Sequence, residues 1–208
     1  MNAQLQTLVE NAKAAAAARL VDGSIRITVC VDTSSQAQGV DATLAALRTG
    51  VAETQQPVTL GISWMEPTLT VRSADGARTV LYGNVTADRV PELLECVARG
   101  DDLPELAIGV VEGESRSGIP MLADHPFMKG QVRRLMADIG RIDPENIDDY
   151  LATDGYVGFS KALEMDGEAI VKEMLDSGLG GRAGAGFPTG RKWDFLRTAT
   201  THPRYLIC

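Results

Sequence analysis

The part of the sequence best suited to chemistry is a glycine-rich stretch at residues 178–190. It reads Gly-Leu-Gly-Gly-Arg-Ala-Gly-Ala-Gly-Phe-Pro-Thr-Gly, and Arg191, Lys192 and Trp193 follow it. Glycine loses the most conformational freedom on folding, so a glycine-rich loop usually needs positive φ angles or a close backbone approach to a ligand. Successive backbone N–H groups in such a loop form a concave site for an anion.

Positive and aromatic side chains accompany this loop. Arg182, Arg191 and Lys192 supply positive charge in a chain whose formal net charge is −8. Phe187 and Trp193 offer flat surfaces for a ring system. These residues predict a site for a phosphate or a nucleotide, and a purely structural turn is the alternative.

The loop matches neither of the two common phosphate-binding glycine motifs. A Walker A loop ends in Gly-Lys-Ser/Thr, whereas Gly190 is followed by Arg-Lys-Trp. A Gly-x-Gly-x-x-Gly pattern that begins at Gly178 follows a helical stretch instead of a strand, which disfavours a Rossmann loop. Flexible linkers favour serine and polar residues, so Phe187 and Pro188 also disfavour a linker.

Composition disfavours several classes of protein. The chain has 20 basic and 28 acidic residues, a balance that repels nucleic acid. Cys30, Cys96 and Cys208 are too far apart for a disulfide framework or a zinc site, and we predict no metal site. The sequence shows neither a signal peptide nor a membrane span. Reduced thiols then favour a cytoplasmic location.

Hydrophobic periodicity predicts an α/β protein. The predicted helices and strands are helix 2–20, strand 25–30, helix 39–49, strands 57–63, 68–72 and 78–82, and helix 87–98. This order is consistent with an N-terminal helix at 1–21 followed by a thioredoxin-like domain at 22–99, with Trp64 and Cys96 in its core. Residues 100–124 have little periodicity and are predicted to be a linker.

The remaining residues, 125–208, are predicted to be a helical lead-in to the glycine-rich loop. Phe127, Gln131 and Leu135 have the spacing of one helix face. Pro144 is predicted to begin a further helix, because proline suits the first helical turn.

The loop and its flanks resemble a known family. The run from 177 to 193 is similar to the FMN-binding signature of the NADH-oxidising subunit of complex I. The same signature occurs in its soluble relatives, the NAD-dependent formate dehydrogenase beta subunit and the flavin subunit of NAD-linked hydrogenases. Residues 126–131 and 140–150 resemble the lead-in of the same proteins, so the resemblance is expected to extend over nearly all of the chain.

The resemblance implies a cofactor site. Lys192 would reach the FMN phosphate or the isoalloxazine edge, and the aromatic rings would stack on NADH. The implied cofactor-binding residues are Gly181, Arg182, Ala183, Gly184, Phe187, Lys192 and Phe195. Two positions depart from the family pattern: Gly180 replaces an arginine, and Ala183 replaces a glycine. If the backbone at 183 requires a positive φ, alanine costs about 1 kcal/mol there.

The N-terminal domain resembles the thioredoxin-like ferredoxins that are linked to this family. These proteins hold a two-iron cluster with four cysteines, and only Cys30 is present among the four matching positions. Ser35, Thr59 and Ser63 occupy the others. Because a two-iron cluster needs four thiolate-type ligands, the resemblance implies a clusterless domain with a docking or structural role.

The resemblance implies a diaphorase-type electron-transfer subunit. FMN would exchange a hydride with NAD(H) and electrons with the iron–sulfur clusters of partner subunits, in a formate dehydrogenase or a hydrogenase. A non-enzymatic docking module of such a complex is the alternative. Family members continue beyond the Tyr-x-x-Cys strand, here 205–208, with further flavin-binding residues and a four-iron cluster domain. We therefore expect incomplete FMN and NAD sites and no activity from this chain alone.

Overall fold

A computed structural model describes residues 3–20, 23–48, 53–56, 61–139, 142–205 and 207. The fold is mixed α/β, as predicted. The chain forms two compact units: Val9–Thr153 is the larger one, and Met1–Leu8 with Asp154–Cys208 make up the smaller one. In the described ranges, no helix is both long and apolar enough to cross a membrane.

A mixed sheet is the centre of the larger unit. Its strands are β1 (Arg26–Cys30), β2 (Glu53–Gln56), β3 (Leu69–Arg72), β4 (Thr79–Tyr82) and β5 (Ala107–Glu112). Their spatial order is β2-β1-β3-β4-β5. The β1–β2 pair is parallel, and every other neighbouring pair is antiparallel.

The strands β1, β3 and β4 confirm the strands predicted at 25–30, 68–72 and 78–82. Ile27 and Val29 of β1 are fully buried, whereas the alternate residues of that strand are half-buried. A hairpin turn joins β3 to β4, with Gly76 at φ +70°. In β4, Val80 contributes to the main core cluster and Leu81 to a second, smaller one, so successive side chains enter different clusters.

Six helices of the described chain start before residue 154. They are α1 (Ala3–Leu20), α2 (Thr33–Ala37), α3 (Val40–Leu47), α4 (Val90–Ala98), α5 (Pro126–Lys129) and α6 (Ile147–Ala152). The helices predicted at 2–20, 39–49 and 87–98 are confirmed as α1, α3 and α4, although Gly50, the predicted end of the second, lies outside the described residues. Leu47 and Leu93 are completely buried and join the sheet residues in the main cluster. Each such side chain contributes about 1.5–3 kcal/mol through burial.

The prediction of a linker at 100–124 is wrong, because β5 lies inside it. Ile108 and Val110 are buried on this strand. Gly109 lies between them, and a Cβ there would stand 2.7 Å from Leu122 Cα. This glycine permits close packing of two chain segments, and it interrupts the apolar periodicity by which a strand is predicted from sequence.

The second strand is also misplaced in the prediction. Residues 57–60 of the predicted strand 57–63 lie outside the described residues. Gly61 has φ +79°, and Ser63–Met65 forms a 3-10 turn. The strand that pairs with β1 is Glu53–Gln56, a polar segment with no apolar alternation for a sequence pattern to detect.

The helical prediction between α5 and α6 is wrong as well. The helix that begins at Pro126 ends at Lys129, and the predicted face member Leu135 is 98% exposed. The helix predicted to begin at Pro144 begins at Ile147, where the Asn146 side chain accepts a hydrogen bond from Asp148 N at 2.9 Å. A side-chain cap therefore defines this helix start.

Trp64 is not a core residue, contrary to prediction. Its side chain is 57% exposed and packs edge-on against Phe127, with ring centroids 4.8 Å apart. Cys96, by contrast, is half-buried against the main cluster.

We expect Trp64→Ala to lower the free energy of unfolding by about 1 kcal/mol, the value of one exposed aromatic pair. A buried tryptophan would cost about 3–5 kcal/mol. Leu93→Ala, at a fully buried position, is the matched control and should cost about 2–5 kcal/mol in the same denaturant titration. A loss above about 3 kcal/mol for Trp64→Ala would contradict the exposed placement.

Cys30 lies at the end of β1. Burial raises the pKa of its thiol to about 11, although a hydrogen bond with Thr68 acts in the opposite direction. Burial also raises the pKa of Tyr82 in β4 to about 12. Both groups are therefore protonated in the folded chain at pH values where they begin to ionise in the unfolded chain.

Because the pKa of the thiol is higher in the folded chain than in the unfolded chain, we expect the protein to lose stability at alkaline pH. The unfolded Cys30 thiol ionises near its ordinary pKa of 9.0, whereas the folded thiol stays neutral up to about pH 11. The contribution of the neutral thiol to the free energy of unfolding is fully present below pH 9. It is lost between pH 9 and 11, and this loss amounts to about 2 kcal/mol. Cys30→Val should remove this part of the slope in denaturant titrations at stepped pH. An unchanged slope in Cys30→Val would contradict the prediction.

Candidate functional site

The glycine-rich loop lies between two helices of the smaller unit. After α7 (Val157–Ala162), helix α8 (Gly167–Asp176) precedes the loop, and α9 (Thr189–Thr198) follows it. Asp166 caps α8 by accepting a hydrogen bond from Ala169 N at 2.8 Å. Gly178, at φ +64°, turns the chain out of α8, a conformation that favours glycine.

The loop is closed at its base by backbone hydrogen bonds. Gly180 and Pro188 form an antiparallel bridge. Gly181 N donates to Phe187 O at 2.8 Å, and Thr189 N donates to Leu179 O at 2.9 Å. These bonds fix the two ends of the segment that carries most of the predicted site residues.

The backbone N–H groups inside the loop have no acceptors among the residues that the structure describes. None of the amides of residues 182–187 donates a hydrogen bond within the described part of the chain, and all six residues are exposed. Gly184 and Gly186 have φ values of +121° and +61°, which non-glycine residues rarely adopt. Exposed amides in a closed loop are donors available to an anion.

Positive charge surrounds these amides. Helix α9 starts directly after the bridge, and no side chain caps its first turn. The positive end of the helix dipole therefore lies beside the loop. Arg182, Arg191 and Lys192 are exposed and form no ion pair with any residue that the structure describes.

The structure brings the two predicted stacking residues together. The rings of Phe187 and Phe195 lie 6.2 Å apart between centroids, with 41° between their planes. Their exposed fractions are 41% and 63%, so part of each side chain remains accessible to a further ring. Trp193, in the same helix as Phe195, is 44% exposed.

The two departures from the family pattern have a structural account. A Cβ at Gly180 would lie 2.9 Å from Gly186 O, so a larger residue would crowd the closed loop. Ala183 is not among the residues with a positive φ. Alanine therefore carries no left-handed strain at 183, and the cost considered for this position does not arise.

Gly190 is a site residue that the sequence prediction missed. It is buried in the first turn of α9, and a Cβ there would lie 2.6 Å from Leu175 N and 2.8 Å from Leu175 Cγ. This contact lets α9 pack against the end of α8, which sets the distance that the loop must span. Glycine is needed at 190 because the two helices pack closely there, and the local sequence does not reveal this packing.

The positions that match ferredoxin ligands are used for other contacts. Ser35 is fully buried, and its hydroxyl accepts a hydrogen bond from Asp32 N at 2.8 Å in a capping box. Ser63 is exposed in the 3-10 turn, and Thr59 lies outside the described residues. In the described ranges, no three His, Cys, Asp or Glu residues are grouped to hold a metal ion.

Part of the chain is similar in sequence to components of known oxidoreductases. No protein-family model matches the chain. It is 45% identical over 80 residues to HndC, a component of the NADP-reducing hydrogenase of Solidesulfovibrio fructosivorans, and the match covers 38% of this chain and 16% of that protein. It is 49% identical over 63 residues to the F component of the NADH-quinone oxidoreductase of Aquifex aeolicus, covering 30% and 15% respectively. A segment of this chain is homologous to these oxidoreductase components.

The F component of the Escherichia coli NADH-quinone oxidoreductase shows the same relationship, with 42% identity over 67 residues, or 31% of this chain and 15% of that protein. The matches span less than a fifth of each of these relatives. They also cover less of the present chain than the resemblance over nearly its whole length led us to expect. These relatives are subunits of oxidoreductase complexes.

Proposed function

We propose that the chain is part of an FMN-binding, NAD(H)-handling electron-transfer subunit of a multisubunit oxidoreductase. The observation that carries this proposal is the closed loop, whose amides at 182–187 and three neighbouring cations have no partner in the described part of the chain. A phosphate group provides the negative oxygens that such donors need. The resemblance of residues 177–193 to an FMN-binding signature, together with the homology to HndC and to the F component of NADH-quinone oxidoreductases, supports a flavin nucleotide among the phosphate-bearing ligands.

Each loop residue has a defined part in this proposal. The amides of 182–184 and the Arg182 side chain hold FMN, and Lys192 neutralises its phosphate. Gly181 lies beside the flavin, while its own amide closes the loop. Phe187 and Phe195 provide the stacking surface for NADH. FMN, when bound, supplies the hydride and single-electron chemistry, so the contribution of the protein is binding and orientation.

We infer a docking role for the larger unit. The strand order β2-β1-β3-β4, with β1 and β2 parallel, supports a thioredoxin-like domain, and β5 adds an edge strand to it. Hydroxyls instead of thiols at Ser35 and Ser63, with the Ser35 hydroxyl already used in its capping box, support a domain without a two-iron cluster. Such a domain would contact the iron–sulfur or catalytic subunits of the complex.

The electron partner is proposed from the relatives. HndC belongs to an NADP-reducing hydrogenase, which supports a hydrogenase-type complex. A formate dehydrogenase remains the second proposal for the partner enzyme. A four-iron cluster, as in the family that the sequence resembles, is expected outside these 208 residues.

The test is the purification of the full-length gene product that contains these residues. We expect it to carry FMN and to reduce an artificial dye with NADH. A protein that co-purifies with oxidoreductase subunits but is colourless and inactive would support the docking module instead.

A further inference from the structure

An exposed surface of the larger unit combines aromatic rings with positive charge and has no part in the proposed flavin chemistry. This surface, named here the Trp64 surface, consists of Trp64, Phe127, Lys129, Val132 and Arg134, and all five side chains are exposed. The rings of Trp64 and Phe127 pack edge-on against each other. Large apolar side chains that lie together at a protein surface mark an interaction site.

The core of the larger unit supports the aromatic pair from below. Met65 and Met128, which follow Trp64 and Phe127 in the sequence, pack against the second, smaller core cluster. The chain beyond α5 is held to this helix, because Gln131 Nε2 donates a hydrogen bond to Phe127 O at 2.9 Å. The two rings are therefore carried by packed chain segments, so a partner that covers them loses little affinity to the ordering of this surface.

The segment that carries most of the Trp64 surface is positively charged. Between Asp124 and Asp138 the sequence has Lys129, Arg133 and Arg134 but no acidic residue, in a chain whose formal net charge is −8. None of these three cations forms an ion pair with a residue in the described ranges. Their charge is available to the carboxylates of a partner, so an acidic surface is the complementary one.

The residue types and the charge favour a different protein over a second copy or a lipid surface. Tryptophan, phenylalanine and arginine are enriched in protein interfaces. Two copies that paired through the same surface would place cations opposite cations. Recognition of anionic lipid uses a cluster of about four to eight basic residues or a long amphipathic helix. Here there are three cations, and α5 has four residues.

We propose that the Trp64 surface docks on an acidic protein surface with an apolar pocket at its centre, on another subunit of the same complex. The pocket receives Trp64 and Phe127, and carboxylates around it pair with Lys129 and Arg134. This inference rests on the proposed function, because it takes the partner from the oxidoreductase complex. It gives the docking role of the larger unit a defined surface.

The first test couples Lys129 to its partner in the complex that forms around the full-length gene product. A carbodiimide joins a lysine amine directly to a carboxylate in contact with it, and mass spectrometry identifies the joined residues. We expect Lys129 to be joined to an aspartate or glutamate of another subunit. Absence of this product, or coupling of Lys129 only to its own chain or to a second copy, would overturn the proposal.

The same preparation separates this inference from the flavin proposal. A full-length gene product that contains FMN and oxidises NADH but purifies without other subunits would overturn the docking inference and leave the flavin proposal intact. A colourless product whose Lys129 is joined to another subunit would have the opposite meaning.

The second test uses variants of the Trp64 surface. Trp64→Ala and Arg134→Glu should each weaken association with the other subunits at least about tenfold, measured by native mass spectrometry on dilution. Added salt should weaken association of the parent protein, because exposed charges are screened. FMN content and dye reduction should stay at the parent level, because both residues lie outside the glycine-rich loop.

Arg99→Glu is the matched control for the charge reversal. Arg99 is an exposed cation of the larger unit outside the Trp64 surface, and it pairs with Glu95. This variant should associate like the parent protein. Parent-like association of Trp64→Ala and Arg134→Glu, or an equal loss in Arg99→Glu, would overturn the proposal. Binding of the parent protein to phosphatidylserine vesicles that Arg134→Glu abolishes would overturn it in favour of a lipid surface.

Discussion

Gly190→Ala is expected to disrupt the packing of α9 on α8 and, with it, the geometry of the glycine-rich loop. The added Cβ would lie 2.6 Å from a backbone nitrogen, which cannot rotate away as the end of a side chain can. Overpacking of this kind costs about 1–3 kcal/mol. Chemical denaturation of the 208-residue chain and faster amide hydrogen exchange in both helices would measure this effect.

The effect should extend to the cofactor. Because Gly190 follows directly after Thr189, whose amide closes the loop, a displaced α9 weakens that closure. In the full-length gene product, Gly190→Ala should lower FMN content to a small fraction of the parent value. Adding Leu175→Ala should not restore it, since the shortest contact is to the Leu175 backbone and not to its side chain.

Gly158→Ala is the matched control for this variant. Gly158 lies in α7 of the same unit, and a Cβ there would meet nothing within 4 Å. Alanine at this helical position should be neutral or stabilise by about 0.5 kcal/mol, with unchanged flavin content. If Gly190→Ala behaved like Gly158→Ala in both measurements, the tight helix packing described above would be wrong.

Removal of the loop cations is expected to have the second large effect. Hydrogen bonds to charged groups contribute about 1.5–3 kcal/mol each. Arg182→Ala and Lys192→Ala should therefore each weaken FMN binding in the full-length gene product by about tenfold to a hundredfold. Flavin fluorescence after dialysis, with circular dichroism to verify folding, measures this loss.

The charge-retaining and remote variants give the controls for this experiment. Arg182→Lys keeps the positive charge and should retain more FMN than Arg182→Ala. Lys172→Ala removes an exposed lysine of α8 that pairs with Asp176, away from the loop amides, and should bind FMN like the parent. Equal flavin content in Lys192→Ala and Lys172→Ala would contradict a phosphate-binding role for Lys192.

The sequence predicts the fold best where burial follows a regular period. In β1 and β3 the buried residues alternate with half-buried ones, and both strands were predicted within one residue of their bounds. The strand β2 is polar, and β5 is interrupted by Gly109, so neither presents the alternation that a pattern detects. Both strands depend on long-range pairing, which has no local signal.

The sequence also predicts only part of the candidate site. Residue types and spacing were sufficient to predict an anion-binding loop with Arg182 and Lys192 beside it. The bridge between Gly180 and Pro188 depends on the final positions of two helices, and so does the contact at Gly190. The predicted core position of Trp64 is wrong. A large aromatic residue suggests a core position, whereas the structure places Trp64 against Phe127 at the surface.

The central claim is that the amides of 182–187, with Arg182, Arg191 and Lys192 beside them, bind the phosphate of a flavin nucleotide. The most direct measurement compares the affinities of the deflavinated full-length gene product for FMN and for riboflavin, which has the same ring system without the phosphate. The phosphate contacts predict that FMN binds at least about a hundredfold more tightly. Equal affinities for the two flavins would contradict the claim.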